Sequence, residues 1–551
     1  MKLTLLAIGL CVWVITAPGR AEPVSVSQSR DSIEIGRAIY RYGRLPSGKP
    51  LQGERLSGLL VSGAEAACVN CHRRSGLGTV EGYSVVPPIT GPYLFQSKAD
   101  SLAYSDLRRR AGFAASRKPY TDATLVRAIQ EGVDHAGRPL NVLMPRYRLS
   151  DDEATSLVEY LQALSVRSSP GVTVDTIHFA TIIGPNVDSS KRTVMLQVLN
   201  SYFADKSVAP RFNERRVMPA AKAMLKAFRR WQLHVWELEG GPDTWEAQLR
   251  LYYQAQPVFA VVGGIASQTW EPVHGFCEQN ELPCLFPIVD IPVAAEQDFY
   301  SMYFSKGVLL EAEILARYLA NGGSIARTGR MIQVFRAQQP GAAAAQELGA
   351  ALRRHGWIVE DHVIGDSRLE SDKLRATMSR EDAAITLVLW LGEEDLRTVA
   401  AIRRQSMPFS RVYLSGTLSG GGPALLPPAW KARAALVYPF ELPDLLADRL
   451  APLQALLKRR GIGPAEERIQ AQAYFAAAVL SEGMAQLANN YLRDYLIERI
   501  EMMVGRPLPG SVYPRLGLGQ GQRFASKGGY IVRFASPKSH RLVAESGWIV
   551  P

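Results

Sequence analysis

Ala67-Cys68-Val69-Asn70-Cys71-His72 is the stretch around which the N-terminal part of the chain is organised. Two cysteines separated by two residues and followed at once by a histidine are typical of c-type haem attachment, in which the thiols bind the vinyl groups and the imidazole binds the iron. A zinc half-site or a redox dithiol would also use a CxxC pair, but zinc needs a second ligand pair and the sequence has no other CxxC. The pattern predicts one covalent haem c on Cys68 and Cys71, with His72 as an iron ligand.

The first 21 residues have the pattern of a signal peptide. Lys2 precedes an apolar run over residues 3–15, which is too short to cross a bilayer, and the small residues Gly19 and Ala21 predict cleavage after position 21. Cys11 follows Leu10, whereas a lipoprotein site would have a small residue there. We therefore expect export to the periplasm and no transmembrane anchor after cleavage, because no later segment is a long uncharged apolar run.

The composition is that of a globular protein with a basic surface. The 551 residues are 47% hydrophobic, which is ample for several buried cores, and the formal net charge is +11. Loss of residues 1–21 removes Lys2 and Arg20 and leaves a charge of +9. In the periplasm this charge favours acidic protein partners or an anionic membrane surface over nucleic acid, and it would also serve solubility alone.

Cysteine usage leaves one further pair. Cys11 lies in the signal peptide and Cys68 and Cys71 in the haem motif, so Cys277 and Cys284 remain of the five cysteines. In an oxidising compartment this pair predicts a disulfide, and two buried free thiols are the alternative.

Helical patterns surround the cysteine motif. Apolar spacing predicts helices at Asp31–Gly43 and Tyr120–Gly132, and residues 46–63, rich in Gly and Ser, are predicted to be a loop. A capping box, Ser150 with Glu153, opens a last helix over Thr155–Leu164, shortly after a Met-Pro pair at 144–145. This order resembles a class I cytochrome c, so residues 30–165 are expected to form a small all-α domain of that family.

The resemblance implies further contacts to the haem. Residues 87–91 resemble the element whose proline carbonyl accepts the second ring N–H of the ligand histidine, which makes Pro87 the expected partner of His72; an ordinary turn is the alternative. Met144 matches the sixth iron ligand, and His135, in an expected turn, is the competing candidate. With His72 and Met144 both bound the iron has no open position, so electron transfer is expected and catalysis is not.

The pattern changes after residues 166–175, which contain a Ser-Ser-Pro-Gly run and are predicted to be a linker. Strand patterns then alternate with helix patterns, which indicates parallel sheets covered on both faces, and two successive series suggest two lobes. The clearest predicted strands are Ile177–Ile183, Leu233–Leu238, Val258–Val262, Cys284–Ile288, Met331–Phe335, Ile385–Leu391, Val412–Ser415 and Ala435–Tyr438, and Tyr530–Phe534 and Leu542–Ala544 are predicted to be the final strands. The predicted helices include Trp245–Tyr253, Gly307–Leu319, Ala342–Arg354, Glu394–Arg404 and a long run from Ala465 to Met503.

Residues 176–551 resemble type I periplasmic binding proteins, above all the branched-chain amino-acid receptors, and are expected to form a two-lobed α/β domain. The best local matches are residues 259–267 and 277–287, in which Cys277 and Cys284 bracket a helix-to-strand turn. The resemblance implies an interlobe cleft that could hold a small-molecule ligand. The candidate lining residues are Ser267, Gln268, Thr269, Asp290, Trp390 and Thr417. Helix capping is the simpler role for residues 267–269.

Two classes of function follow from these patterns. The first is a periplasmic electron carrier between redox proteins, such as a quinoprotein dehydrogenase or a terminal acceptor, with the second domain docking a partner or binding a ligand. The second is a solute-binding or sensing protein whose haem reports redox state. We expect the carrier function, because His72 and Met144 would leave the iron no open site.

Overall fold

The computed structural model describes residues 26–81, 84–96, 118–208, 229–293, 298–322, 329–365, 385–400, 409–420, 422–487, 489–503 and 510–551. The predicted signal peptide, residues 1–21, lies outside the described residues. Contacts divide the chain into two compact units, the first ending at Val166 and the second running from Arg167 to Pro551. This boundary falls at the start of the predicted linker.

The first unit contains five described α-helices. They are α1 (Val26–Tyr42), α2 (Val69–His72), α3 (Gly91–Phe95), α4 (Asp122–Glu131) and α5 (Asp151–Ala163). Helices α1 and α5 pack against each other, and the rings of Tyr40 and Tyr160 lie 5.3 Å apart at their contact. The predicted capping box is confirmed, since the Glu153 carboxylate accepts from the Ser150 N–H at 2.9 Å and the Ser150 hydroxyl accepts from the Glu153 N–H.

The first unit also contains strands, so the prediction of an all-α domain is wrong, as is that of a loop over residues 46–63. Strands β1 (Gln52–Glu54) and β2 (Leu60–Ser62) form a hairpin, and β1 pairs on its other edge with β5 (Arg146–Arg148). A second ladder joins β3 (Thr79–Glu81) to β4 (Ser84–Val86). Strands of three residues are too short to show a clear alternation in the sequence, and β1 pairs with a segment about ninety residues away along the chain.

The second unit begins with a parallel sheet. Among the described residues its order is β10–β9–β8–β6–β7. These strands are β6 (Thr176–Ile183), β7 (Arg230–Glu237), β8 (Ala260–Val262), β9 (Cys284–Leu285) and β10 (Ser301–Met302). Helices α6 (Ser189–Lys206), α7 (Pro242–Ala255) and α8 (Glu271–Gln279) accompany them. Together with three helices from later in the chain they form lobe one, with an apolar core on each face of the sheet.

Lobe two is built on a larger, mixed sheet of described order β12–β11–β13–β14–β15–β16–β17. Its strands are β11 (Arg330–Arg336), β12 (Ile358–Ile364), β13 (Ile385–Trp390), β14 (Arg411–Ser415), β15 (Ala434–Tyr438), β16 (Tyr530–Phe534) and β17 (Leu542–Ala544). Strands β11 to β15 are parallel to one another, and β16 pairs antiparallel with both β15 and β17. Its helices are α9 (Val308–Ala320), α10 (Pro340–Arg354), α11 (Glu393–Ala400), α12 (Gly422–Leu425) and α13 (Pro428–Lys431).

The three later helices of lobe one are α14 (Pro443–Arg460), α15 (Glu467–Ala485) and α16 (Arg493–Glu501). The single helical run predicted from Ala465 to Met503 is thus two helices, separated by a turn that includes Asn489 at φ +72°. Because the chain leaves lobe one after β10, returns after β15 and leaves again after α16, described segments connect the lobes at residues 303–307, 439–442 and 523–529.

The predicted linker is held against lobe one. Ser169 N–H donates to the Tyr491 carbonyl at 2.8 Å, and its hydroxyl accepts from the Arg493 N–H at 3.0 Å. Gly171 carbonyl accepts from the His178 N–H at 2.8 Å. These contacts order the segment between the two units as part of the second. Among the described helices, none combines the length and hydrophobicity that a membrane crossing requires.

Candidate functional site

His72 closes the short helix α2 and is 6% exposed. Its Nδ1 lies 3.0 Å from the carbonyl oxygen of Pro87, which can only accept, so the ring donates through Nδ1. The remaining nitrogen, Nε2, is then the one able to ligate a metal, and the carbonyl sets the orientation of the ring. The structure therefore places Pro87 where the sequence predicted it.

Burial also sets the charge of this imidazole. It lowers the pKa of His72 to about 4, against a smaller opposing effect of the Pro87 carbonyl. At neutral pH His72 is therefore the neutral imidazole, which is the form that binds a metal.

Gly78 allows the Pro87 carbonyl to reach His72. A Cβ on Gly78 would lie 2.1 Å from the Val86 carbonyl oxygen and 2.9 Å from the Pro87 carbonyl carbon, and its φ of +73° disfavours other residues. The Gly78 N–H in turn donates to the His72 carbonyl at 3.2 Å. The sequence analysis missed this residue, which one glycine among many does not reveal.

Cys68 and Cys71 lie one helical turn apart, and neither is in a disulfide. Cys71 is exposed, whereas Cys68 is half-buried and hydrogen-bonded to the phenol of Tyr147. Burial raises the pKa of the Cys68 thiol to about 12, so this group stays protonated at neutral pH. The Asn70 amide donates to the Ala64 carbonyl at 2.8 Å and to the Glu65 carbonyl at 3.2 Å, which holds the turn that carries both thiols.

Met144 lies in a turn immediately before β5 and is half-buried. Its N–H donates to the Asn141 carbonyl at 3.0 Å, and the Asn141 side chain accepts from the Leu143 N–H at 3.0 Å. The competing residue, His135, lies in the expected turn, in which the Asp134 carboxylate accepts from the N–H groups of Ala136 and Arg138. Its ring contacts Tyr120 edge-on at 5.4 Å.

The residues present fit a haem c. Two thiols on one turn, a neutral imidazole with an oriented ring and a thioether match the groups that such a cofactor requires. Apolar side chains that suit a porphyrin lie on the same segments and are more than half exposed. These are Leu56, Leu59 and Leu60 on the β1–β2 hairpin, and Val142 and Leu143 beside Met144.

The cleft residues predicted in lobe one lie at the start of α8 and after β9. Ser267, Gln268 and Thr269 are exposed, and the Thr269 hydroxyl accepts from the Glu271 N–H at 3.2 Å. The N-cap of α8 is Trp270, with no side-chain cap bond, so the capping role expected for residues 267–269 is not seen. Asp290 is half-buried, and burial raises the pKa of its carboxyl group while Arg468 and Lys191 oppose the shift.

The two residues predicted on the lobe-two wall differ from each other. Trp390 does not line a wall: its ring is 1% exposed, packs in the core of lobe two and donates to Gln333 at 2.9 Å. Thr417 lies at the carboxyl end of β14 and donates to Glu311 on α9 through both its N–H and its hydroxyl, each at 2.8 Å.

Arg468 connects the two lobes at this point. It lies on α15, whose core residues pack in lobe one, and its guanidinium donates to the Thr417 carbonyl of lobe two at 2.8 Å. The same group stacks 5.4 Å from the centre of the Phe440 ring in a connecting segment. Glu311 and Arg468 were missed in the sequence, because an acid and a base on amphipathic helices have no distinguishing pattern.

Cys277 and Cys284 form a disulfide in the structure, with their Cα atoms 6.3 Å apart. Near Cys277, the ligand atoms of His274, Glu278 and Asp298 lie within 4.8 Å of one another. However, the two His274 nitrogens contact Asp298 and Tyr303, at 3.1 and 2.8 Å, and Glu278 accepts from three successive backbone N–H groups, those of residues 299–301. This cluster is a hydrogen-bond network that joins α8 to β10.

Comparisons with known proteins agree with both parts of the chain. Residues 64–165 match the family model of cytochrome c. A branched-chain amino-acid ABC transporter protein from Thermus thermophilus with bound valine is similar at a TM-score of 0.54 and 12% identity, over 69% of this chain and 98% of that chain. A fatty acid ABC transporter substrate-binding protein from Thermomonospora curvata is similar at a TM-score of 0.50 and 16% identity, over 70% and 95%. No curated protein matches the chain.

The chain therefore combines a cytochrome c domain with the α/β fold of type I periplasmic binding proteins. At these identities the structural likeness shows the fold alone. The cytochrome c domain implies a haem cofactor.

Proposed function

We propose that this protein is a periplasmic electron carrier with one haem c attached covalently to Cys68 and Cys71. When bound, the haem supplies a one-electron iron couple. His72 and Met144 would be the protein ligands of the iron, and with both bound no ligand position would remain for a substrate, so the protein is not expected to be an enzyme. The observation that carries the proposal is the 3.0 Å contact from Nδ1 of His72 to Pro87, which orients the imidazole for ligation.

Export and redox partners complete this proposal. The signal-like residues 1–21 support a periplasmic location, where haem c is attached, and the binding-protein fold is common to exported receptors. The partners would be periplasmic redox proteins, such as a quinoprotein dehydrogenase or a terminal acceptor. Transient redox interfaces are small and steered by charge, which suits a chain of net charge +9 after loss of residues 1–21.

An absorption spectrum of the haem-loaded protein tests the axial ligation. We expect a low-spin spectrum with a methionine-to-iron charge-transfer band, and loss of that band in Met144→Ala together with at least about 10-fold tighter binding of added imidazole, because the methionine no longer competes. His135→Ala is the matched control and should keep the band. A high-spin wild-type spectrum, or loss of the band in His135→Ala only, would contradict the proposal.

A second candidate is binding of a small molecule in the interlobe cleft, with the haem reporting redox state. Two observations favour it: Arg468 spans the lobes by its bond to the Thr417 carbonyl at 2.8 Å, and the half-buried Asp290 lies within the electrostatic influence of Arg468 and Lys191. Opposite charges at the meeting point of two lobes suit a polar ligand. Ligand-induced stabilisation of the full chain would support this candidate.

A further inference from the structure

The hairpin that the sequence did not predict lies directly beside the segment that carries Met144. Its inner strand β1 pairs in antiparallel register with β5, so that Gly53 is opposite Tyr147, two residues after Pro145. Leu51, which precedes β1, donates its N–H to the carbonyl of Gly43, which follows α1, at 2.8 Å. The hairpin therefore ties the start of β5 to the first helix of the unit.

Gly53 packs closely against the residues that follow Met144. A Cβ on this residue would lie 2.9 Å from the Cβ of Pro145 and 3.1 Å from two ring carbons of Tyr147. Contacts under 3.0 Å require a shift, and the two neighbours, Pro145 and Tyr147, are buried, Tyr147 with 5% of its surface exposed, in an interior that is closely packed. A side chain at this position would therefore push the residue that follows Met144.

Tyr147 connects the same point to the cysteine motif. Its ring covers Gly53, and its phenol is hydrogen-bonded to the Cys68 sulfur. A thioether sulfur is still a weak acceptor, so this bond can persist once Cys68 is attached to a haem. The next residue back, Arg146, donates to the Glu131 carbonyl at 3.0 Å and holds β5 against α4.

We infer that the β1–β2 hairpin acts as a brace for Met144, with Gly53 and Tyr147 as positioning residues that hold the thioether on the iron. This inference rests on the proposed function, since it presumes ligation by His72 and Met144. The brace determines how readily Met144 leaves the iron, and hence how well the protein excludes other ligands. A methionine followed directly by residues that pack against the hairpin loses less entropy on ligation than one in a free loop.

Imidazole binding to the full-length, haem-loaded protein tests the brace, with the methionine-to-iron band as a second readout. We expect about 10-fold tighter imidazole binding in Gly53→Ala, because the added Cβ displaces Pro145 and weakens the competing methionine. Tyr147→Phe keeps the ring and removes only the hydroxyl, and we expect about 3-fold tighter binding. With imidazole bound, both variants should give low-spin spectra, because His72 still binds the iron.

Two exposed positions provide matched controls. Gln52→Ala changes a solvent-facing residue of the same strand. Tyr42→Phe removes the hydroxyl of a residue that is 48% exposed. Both variants should bind imidazole as the wild type does. A wild type without the methionine-to-iron band would overturn the proposed ligation and the brace with it. A wild type with the band, and with unchanged imidazole affinity in Tyr147→Phe and in any haem-loaded Gly53→Ala, would overturn the brace alone.

Discussion

At the scale of single residues, Glu311 is a buried carboxyl group in the second unit. Its side chain is fully buried and accepts from the Ser415 hydroxyl and from two donors of Thr417. Burial raises the pKa of Glu311 to about 7, although these donors and the charge of Arg468 oppose the shift. The folded protein therefore holds a proton that the unfolded chain releases near pH 4.5.

This proton makes stability depend on pH. The contribution of Glu311 is fully present below about pH 4.5 and is lost as the pH rises through about 7. We expect the unfolding free energy of the wild type, relative to Glu311→Gln, to fall by up to about 3 kcal/mol between pH 4.5 and 8. Denaturant unfolding at several pH values measures this difference.

Glu313→Gln is the control for that experiment. Glu313 lies on the same helix but is partly exposed and pairs with Lys306 at 2.7 Å, so its substitution should leave the pH dependence of the wild type in place. A constant difference between wild type and Glu311→Gln across the pH range would contradict the assignment.

Residues also show where sequence reasoning succeeds. His72 and the two cysteines are recognisable because haem attachment requires fixed residue types at fixed spacing. Pro87 was indicated by the resemblance of residues 87–91 to an element of class I cytochromes c. Gly53 and Tyr147 have no such pattern, since their roles depend on contact with residues about ninety positions away. Trp390 was misassigned because a position at a strand end indicates an edge of the sheet but not whether the ring turns into the core.

At the scale of elements, Arg493 holds the predicted linker onto lobe one. It is 5% exposed, and its guanidinium donates to the carbonyls of Val258, Phe259, Asn280 and Pro170 and to the Tyr253 hydroxyl. A buried cation surrounded by carbonyl acceptors joins the start of α16 to β8, α8 and the linker. Composition indicated a linker here, but not that it is docked.

Loss of the Arg493 guanidinium should loosen the linker that it holds onto lobe one. We expect Arg493→Met to lower the unfolding free energy by at least about 3 kcal/mol, because several buried carbonyls lose their donor, and to speed trypsin cleavage after the exposed Arg167. Calorimetry and timed proteolysis measure the two effects. Arg499→Met is the control, because Arg499 lies on the same helix and donates to the side chains of Gln486 and Met502 rather than to buried carbonyls. Equal effects in the two variants would contradict a special role for Arg493.

At the scale of the whole molecule, ligand binding in the interlobe cleft can be tested without knowing the ligand. We expect a member of a panel of amino acids and short-chain carboxylates to raise the unfolding midpoint of the full chain, since about 100-fold excess over Kd adds about 2.7 kcal/mol. Arg468→Gln should abolish the shift, because this side chain spans the lobes.

Arg459→Gln is the control for the cleft experiment, because Arg459 is largely exposed on α14 and should leave the ligand-induced shift unchanged. An absence of stabilisation across the whole panel would remove the second candidate function. The electron-carrier proposal does not depend on that result, since it rests on the axial ligands of the first unit.

The sequence by itself determined the haem motif and most of the strands that alternate with helices, because these depend on local spacing and on periodicity along the chain. Its resemblance to two families indicated the two kinds of domain. Only the tertiary structure decided which groups meet. The hairpin beside Met144 and the bond from Arg468 to Thr417 join segments far apart in the chain. Contacts between distant segments leave no periodic pattern in the residues that make them, so they become visible only once the chain has folded.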